Sequence, residues 1–166
     1  MDIETHWKLV KATFEEGMAS SKHCAIATVD AQGNPHITPI GFLFLESPTK
    51  AFYFEEYTHS IPLNIMSNRN LCLMVVNSGF IYWFKSLFKG QFVSPPGLRL
   101  YGTAGELRKA TSNERDQYLS KIKSSKRLKG NKLIWQGLEN VREISLTSFK
   151  PITYPKMMRG LWPISQ

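Results

Sequence analysis

The chain lacks the motifs that metal binding or cofactor-free catalysis usually requires. Its 166 residues include two cysteines, Cys24 and Cys72, with no CxxC pair and no histidine at metal-ligand spacing. The P-loop, GxGxxG, GxSxG and HExxH motifs are missing, and the four histidines are scattered. We therefore expect buried free thiols, no metal site and no self-contained hydrolase. No catalytic residue can be assigned, and redox chemistry would need a bound cofactor.

Signals for export and membrane insertion are also missing. No apolar run reaches the roughly 18 residues that a spanning helix needs, and the N-terminus begins with acidic rather than basic residues. We therefore expect a cytoplasmic protein without a membrane partner. Asp and Glu number 13 against 21 Lys and Arg, and the net charge of +8 favours anionic ligands such as nucleotides or phosphate-bearing cofactors.

The chain does contain a series of short extended segments joined by turns. β-Branched or alternating runs predict six strands, at 23–30, 35–44, 51–57, 70–77, 98–107 and 141–149. Helical spacing predicts an N-terminal helix over 2–18, and a capping box predicts a second helix that begins at Thr111. Gly102 and Gly105 favour strong bending of the fifth strand. We predict one mainly β (α+β) domain over residues 1–166, built on a meander or small barrel with flanking helices.

The second predicted strand carries an unusual proline and glycine. Pro39 cannot donate a ladder hydrogen bond, so this strand should lie at a sheet edge, a bulge or an opening. Gly41 would let a ligand or another backbone approach closely. Continuous alternation would place on one face His36, Thr38, Ile40, Phe42 and Phe44. An ordinary edge strand and a face that binds a planar ligand both remain open.

The turn after the third strand has the composition of a phosphate site. Thr58 and His59 precede Ser60, which matches a helix N-cap, and Pro62 suits the first helical turn. Hydroxyls, an imidazole and free backbone N–H groups would meet there, a combination that binds anions. A plain helix cap is the alternative.

Three further segments have an unusual amino-acid composition but contain no recognisable motif. Residues 78–97 are rich in aromatic side chains and predict a long loop or a strand extension. A lid or dimer contact is favoured, and an interfacial membrane patch and stacking on nucleic-acid bases remain open. The basic run from Lys121 to Lys132 lacks aromatic residues and indicates a solvated face, so we expect no nucleic-acid partner. The proline-rich tail, 150–166, contains Trp162 and should dock on its own subunit or a partner.

Residues 22–107 resemble the FMN-binding split barrel of the pyridoxamine 5'-phosphate oxidase-like family. The segments that carry the resemblance are 27–30, 33–40, 52–54, 64–68, 71–73 and 100–104. The resemblance implies a six-stranded antiparallel split β-barrel and a homodimer with FMN in clefts between the subunits. It also implies that the strand from His36 to Ile40 follows the isoalloxazine ring and that the turn at Thr58 receives the phosphate.

The cofactor-binding residues that follow from this resemblance and from the composition of the turn form one set. They are His36, Ile37, Thr38, Pro39, Ile40, Thr58, His59, Ser60, Asn64, Arg99, Arg159 and Trp162. Ser60, Ile61 and Pro62 stand where relatives often have Arg and Lys, so His59, Arg99 or Arg159 would have to supply the charge.

Two functional hypotheses follow from the resemblance. The first is an FMN-dependent oxidoreductase that acts on a small molecule, with an electron donor such as NAD(P)H. The second is a non-catalytic split-barrel protein that binds flavin, haem or another flat ligand. Oxidation of pyridoxamine phosphate itself is not supported, because the substrate-binding residues cannot be matched one by one.

Overall fold

Seven strands and four helices lie along residues 1–56, 58–123 and 137–162, which the computed structural model describes. The strands are β1 Cys24–Val29, β2 Pro35–Ile40, β3 Leu43–Ser47, β4 Lys50–Phe54, β5 Asn70–Val76, β6 Gly97–Lys109 and β7 Asn140–Pro151. The helices are α1 Trp7–Ser21, α2 Ser60–Ser67, α3 Phe80–Lys89 and α4 Ser112–Ile122. No helix in these ranges is long and apolar enough to cross a membrane.

The order of the strands shows that the sheet curls into an open barrel. All neighbours are antiparallel, in the order β2-β1-β5-β6-β7-β4-β3. Strands β2 and β3 are separated by only Gly41 and Phe42, yet they occupy opposite ends of the sheet. A two-residue connection can join the two ends only if the sheet curls back on itself. The result is an antiparallel split barrel with flanking helices, and the predicted fold class is confirmed.

The strand count differs from the prediction because the second predicted strand is two strands. In β2, the even-numbered residues Thr38 and Ile40 direct their side chains towards the barrel interior. In β3, the odd-numbered Leu43 is fully buried in the barrel core, and Phe44 belongs to a different cluster. The connection at Gly41 and Phe42 therefore reverses the parity of the side chains. The prediction that one face runs unbroken from His36 to Phe44 was wrong.

Two apolar clusters stabilise this arrangement. The barrel interior is crossed by one row of paired residues from neighbouring strands, Ile26, Leu73, Leu100 and Phe149. The second cluster lies between β3, β4, β7 and α4. In it, Phe44 stacks on Phe52 with ring centroids 5.1 Å apart, and Phe54 contacts Tyr118 at 5.1 Å. Aromatic pairs of this kind add about 0.5 to 1.5 kcal/mol each beyond area burial.

Strand β6 bends where the sequence has glycine. The pairing with β7 shifts register between Tyr101 and Gly102. A Cβ at Gly102 would lie 2.3 Å from the carbonyl oxygen of Ser145, a distance that a side chain cannot occupy. Glycine is therefore required there for the two backbones to approach each other.

The predicted start of α1 differs from the structure, whereas the predicted start of α4 agrees with it. Helix α1 begins at Trp7 rather than at Asp2, because the preceding residues form a turn in which Thr5 N–H donates to Asp2 Oδ2 at 2.7 Å. The capping box of α4 is confirmed. Thr111 Oγ1 accepts from Glu114 N–H at 3.3 Å, and Glu114 Oε2 accepts from Thr111 N–H at 2.7 Å.

The predicted loop over 78–97 instead contains a helix. Helix α3 begins after Gly79 and ends at Gly90, whose φ of 64° is the left-handed conformation that terminates helices. Its inner side is held by Tyr82, whose hydroxyl donates to the Ser94 carbonyl at 2.8 Å, and by Trp83, whose Nε1 donates to the Asn77 carbonyl at 2.7 Å. The loop prediction was wrong because it rested on the density of aromatic residues and overlooked the helical spacing of Phe80, Phe84 and Leu87.

The C-terminal tail docks on its own chain, as predicted. Strand β7 extends to Pro151, so the tail begins at Ile152. Met158 and Trp162 are buried, and the Trp162 ring lies 5.4 Å from that of Phe149. Of the basic run from Lys121 to Lys132, only Lys121 and Lys123 fall within the described residues.

Both cysteines are free thiols. Cys24 is buried in β1, and burial raises its thiol pKa to about 12. Cys72 in β5 is only half-buried. These thiols remain protonated at neutral pH, as expected for cysteines that pack rather than react.

The carboxylate of Glu114 should make the stability of the protein pH-dependent. Arg108 donates two hydrogen bonds to it, at 2.7 and 2.9 Å, and these bonds hold its pKa near 2 although the side chain is buried. A folded-state pKa below the unfolded value stabilises the fold above pH 4.5, and this contribution is lost as the pH falls towards 2. We expect Glu114→Gln to lower the free energy of unfolding by about 2 kcal/mol at pH 7.

Urea denaturation at pH 7 and at pH 3 measures this effect. The difference between the wild type and Glu114→Gln should shrink at pH 3. The matched control is Glu106→Gln, because Glu106 pairs with Arg69 in solvent at 3.0 Å and such a pair contributes about 0.5 kcal/mol or less. An equal loss in both variants, or a difference that does not change with pH, would contradict the assignment.

Candidate functional site

Strand β2 presents a backbone edge at the opening of the barrel that pairs with no strand in the described part of the chain. The turn between β1 and β2 is closed by Asp30 N–H, which donates to the Asn34 carbonyl at 3.0 Å. Hydrogen-bonded pairs alternate along an antiparallel ladder, so the β2 residues that bond β1 are His36, Thr38 and Ile40. Pro35, Ile37 and Pro39 therefore direct their backbone groups away from β1. Since proline has no N–H, the donor on this edge is the Ile37 amide, flanked by carbonyl acceptors.

A shallow apolar surface lies beside this edge on the outer face of the sheet. Residues of β1 on that face are small: Ala25 pairs with Pro39, and Ala27 pairs with Ile37. On the other side, β5 adds Cys72 next to Ala27 and Met74 next to Ala25. The Ile37 side chain is 70% exposed. Two alanines between larger neighbours leave a flat strip that could receive a planar ring.

Helix α2 is fixed to the same end of β1 and β2 by a buried polar contact. Asn64 Nδ2 donates to Thr28 Oγ1 at 2.8 Å, and both side chains are buried. Thr28 pairs with His36 in the neighbouring strand. The predicted site residue Asn64 thus has a positioning role: its amide aligns α2 with the start of β2.

His36 is engaged within its own hairpin. Its Nε2 lies 3.2 Å from Asp30 Oδ2. The pKa of Asp30 is lowered to about 2, chiefly by the side-chain and backbone hydrogen bonds from Asn34, with a smaller contribution from His36. The imidazole is therefore oriented by a carboxylate that stays ionised at neutral pH.

The turn before α2 differs from the predicted cap. The N-cap is His59, without a side-chain hydrogen bond, and Ser60 is the first helical residue, so the prediction of Ser60 as the N-cap was wrong. Both side chains are exposed. The Thr58 Oγ1 atom is buried and has no hydrogen-bond partner among the described residues. An unsatisfied buried hydroxyl costs about 1 to 3 kcal/mol, so this atom calls for a partner beyond those that the described residues supply.

A buried ion pair that sequence reasoning missed fixes the segment before this turn. Arg142 Nε donates to Glu55 Oε2 at 2.7 Å, Tyr53 donates its hydroxyl to the same carboxylate, and Arg142 also donates to the Gly105 carbonyl at 3.0 Å. Burial and the Glu55 carboxylate raise the pKa of Tyr53. A glutamate directly after the apolar run of β4 was the available signal. Because Glu55 is three residues before Thr58, its network restrains the approach to the turn.

The predicted basic and aromatic contributors are farther away. Arg99 lies on the outer face in the same cross-strand row as Pro39, Ala25 and Met74, about 14 Å from β2 at roughly 4.8 Å per strand. Arg159 accepts at its carbonyl from Gln91, and Trp162 stacks on Phe149. The tail begins at the end of β7, which lies across β6 from the last residues of β5, whereas α2 lies before the first residue of β5. Within one chain, Arg159 and Trp162 are therefore not brought to the Thr58 turn.

A second concave region lies elsewhere on the molecule. A cleft of about 770 Å³ separates α1, the β2–β3 connection and α4. Its floor includes Phe14 and Phe42, and its rim includes Lys11, Lys22 and Lys121. Lys121 Nζ lies 4.4 Å from the centre of the Phe44 ring. None of the predicted cofactor-binding residues lines this cleft, which makes it the alternative location to be tested for a ligand.

The strand order and the open β2 edge define an antiparallel split-barrel protein. The model of the pyridoxamine 5'-phosphate oxidase family matches residues 10–145, and the chain belongs to that family. Comparison with curated proteins gives no match.

Solved structures share the fold at low sequence identity. An FMN-binding protein from Syntrophomonas wolfei is 15% identical, with a TM-score of 0.58 over 92% of this chain and 95% of that one. HupZ of group A Streptococcus is 18% identical, with a TM-score of 0.52 over 88% and 92% of the two chains. HutZ, the haem storage protein of Vibrio cholerae, is 14% identical, with a TM-score of 0.51 over 86% and 94%. At these identities the similarity concerns the fold alone.

Proposed function

We propose that this protein binds FMN along the open edge of β2 and acts as an FMN-dependent oxidoreductase on a small molecule. Bound flavin would supply hydride or electron transfer. The protein supplies the binding groups and the orientation. The observation that carries the proposal is the buried, unpartnered hydroxyl of Thr58 at the start of α2.

The Thr58 turn has the donors that a phosphate group needs. Thr58 Oγ1 requires a partner, the Ser60 hydroxyl is exposed, and the first N–H groups of α2 have no side-chain cap. Helix N-termini favour anions through these free N–H groups and through the helix dipole. Because Ser60, Ile61 and Pro62 carry no charge, phosphate binding would depend on neutral donors and on His59, and these bind more weakly than arginine.

The β2 edge has the complementary groups for the ring. Its single donor, the Ile37 N–H, lies between carbonyl acceptors, and the pyrimidine edge of a flavin likewise alternates C=O and N–H groups. Ala25 and Ala27 leave a flat strip on which an aromatic ring could lie. Ligand pockets commonly combine such an apolar wall with a few convergent polar groups.

Thr58→Val tests the phosphate contact directly. Loss of one hydrogen bond to a charged group should weaken FMN binding about 10- to 100-fold. The measurement is titration of the apoprotein with FMN, followed by visible absorbance and flavin fluorescence. Thr58→Ser keeps the hydroxyl and should bind FMN nearly as the wild type does.

Riboflavin provides the sharpest control, since it lacks the phosphate. Thr58→Val should bind riboflavin as the wild type does, and the unliganded variant should be at least as stable, because its methyl group replaces an unsatisfied hydroxyl. Equal weakening for FMN and riboflavin would contradict the phosphate assignment. A wild type that binds neither flavin would contradict the proposed function.

The second function, binding without turnover, is favoured by one observation. In the described part of the chain, the titratable side chain on β2 is His36, and it is already paired with Asp30. The two functions differ in one measurement. Bleaching of bound FMN by NADPH or NADH, followed by reoxidation with an added acceptor, would support the oxidoreductase, and flavin that stays oxidised would support storage or sensing.

We further propose that the site is completed in a homodimer. Ile37 on β2 and Leu63 and Met66 on α2 are between 67% and 85% exposed, so no described residue of the same chain covers the apolar surface beside the β2 edge. A second copy could cover this surface and could bring its own Arg99 or Arg159 near the phosphate.

Ile37→Asp tests the dimer. A charge in an apolar contact should convert the dimer to a monomer and abolish FMN binding, as measured by light scattering and by FMN titration. Leu107→Asp is the control, because Leu107 is an exposed apolar residue on another strand, β6, and does not belong to the surface formed by Ile37, Leu63 and Met66. A dimer that survives Ile37→Asp, or a wild type that is monomeric, would contradict this part of the proposal.

A further inference from the structure

Helix α3 presents an outer face made of large apolar side chains. The exposed members are Phe80, Ile81, Phe84, Leu87 and Phe88, with exposed fractions between 62% and 86%. At 100° per residue they span an arc of about 120° on the helix surface. Half of the residues of α3 therefore place apolar side chains in solvent, far beyond the scattered exposure that is normal for a protein surface.

The outward orientation of this face is not a result of loose packing, because the other side of α3 is firmly held. Its opposite side packs on the protein through Tyr82 and Trp83, which also contact Phe92 with ring centroids 5.8 and 5.4 Å away. Ser86 is fully buried between them and donates to the Tyr82 carbonyl at 2.8 Å. Rotation of α3 to bury the phenylalanines would break these contacts. The apolar face is thus a fixed feature of the surface.

The surroundings of this face are positively charged. Lys85 and Lys89 lie along one edge of the apolar arc, and the tail contributes Lys156 and Arg159, both exposed. The tail is held behind α3 by hydrogen bonds from Gln91 Nε2 to the Arg159 carbonyl at 3.1 Å and from the Phe92 N–H to the Met157 carbonyl at 2.9 Å.

Carboxylates are scarce at this end of the molecule. The sequence has no Asp or Glu between Glu56 and Glu106, and none after Glu143. Glu16 of α1 does approach, since its carboxylate accepts from Ser94 Oγ at 2.7 Å. That hydrogen bond directs Glu16 towards the loop behind α3.

We propose that α3 is a membrane-interface helix that docks the protein on the surface of an anionic phospholipid bilayer. Its phenylalanines, leucine and isoleucine would enter the region between headgroups and acyl chains, while Lys85 and Lys89 contact lipid phosphates. The helix lies in the plane of the interface and does not cross the bilayer. This proposal replaces our expectation of no membrane partner, and it does not depend on FMN binding.

Charge favours this occupant over a second copy of the chain. A symmetric antiparallel contact through α3 would place Lys85 and Lys89 of both molecules on the same side, with no described carboxylate on α3 to pair with them. An anionic lipid surface satisfies both the apolar arc and its basic edge. Each lysine near such a surface contributes about 1 kcal/mol, or about fivefold in affinity.

Co-sedimentation with vesicles tests the proposal. The wild type should bind vesicles of phosphatidylcholine with 30% phosphatidylglycerol, and it should bind pure phosphatidylcholine at least tenfold more weakly. Phe88→Asp should lose at least tenfold in binding to the anionic vesicles, whereas the control Leu107→Asp should bind as the wild type does. Circular dichroism confirms that each variant is folded.

A matched pair of double variants separates local charge from net charge. Lys85→Gln with Lys89→Gln should weaken anionic vesicle binding about 25-fold. Lys8→Gln with Lys50→Gln removes the same net charge from exposed positions outside α3 and should have little effect. Equal losses in the two double variants would overturn the assignment to α3.

Two further outcomes would overturn the proposal. One is a wild type that binds neither vesicle type. The other is a Phe88→Asp variant that binds vesicles normally but has half the wild-type mass by light scattering, which would assign α3 to a contact between two copies. A loss of vesicle binding at unchanged mass supports the membrane helix.

Discussion

The structure depends on one constraint: two strands joined by two residues lie at opposite ends of the same sheet. Since Gly41 and Phe42 cannot span an open sheet, the sheet must curl until β2 and β3 approach each other. The closure is incomplete, and β2 keeps an edge that pairs with no other described strand. Edge strands are normally protected by proline, charge or a covering element. Here Pro35 and Pro39 block part of the edge and leave the Ile37 amide available.

The polar groups near this edge divide into satisfied and unsatisfied sets. Asn64 bonds Thr28, His36 bonds Asp30, and Glu55 bonds Arg142, so these contacts hold the fold in place. Thr58 alone among the side chains of the turn has a buried oxygen without a described partner. A buried polar atom of this kind calls for a bound group such as a water molecule, an ion or a ligand. This contrast, rather than the resemblance, is the physical argument for a ligand at the turn.

The two proposed surfaces occupy opposite ends of strand β5. Helix α2 and the Thr58 turn precede its first residue, and α3 follows its last. A molecule resting on a membrane through α3 would therefore keep the α2 end directed away from the bilayer. The flavin proposal and the membrane proposal are independent in their residues and can fail separately.

Much of the fold could be predicted from the sequence because local signals agree with the tertiary structure. The capping box at Thr111 needs only its own turn, and β-branched runs at β1 and β5 need only burial. The break at Gly41 was not predictable, because either parity of the following side chains suits an apolar core. Helix α3 was missed because the density of aromatic residues was interpreted as a loop, although Phe80, Phe84 and Leu87 have helical spacing.

The candidate site was predictable only in part, for a similar physical reason. Strand β2 and the turn at Thr58 could be identified, since proline and hydroxyl residues mark them locally. The roles of individual side chains depend on partners far apart in the chain: Glu55 and Arg142 are separated by 87 positions. No local pattern encodes such a pairing.

Amide hydrogen exchange with and without FMN tests the central claim most directly, because the claim concerns particular backbone N–H groups. The account predicts that FMN slows exchange of the Ile37 amide and of the amides at the start of α2. Riboflavin should slow the Ile37 amide but leave the α2 amides unchanged. Protection by FMN that appears instead on α1 and α4, around the cleft lined by Phe14 and Lys121, would contradict it.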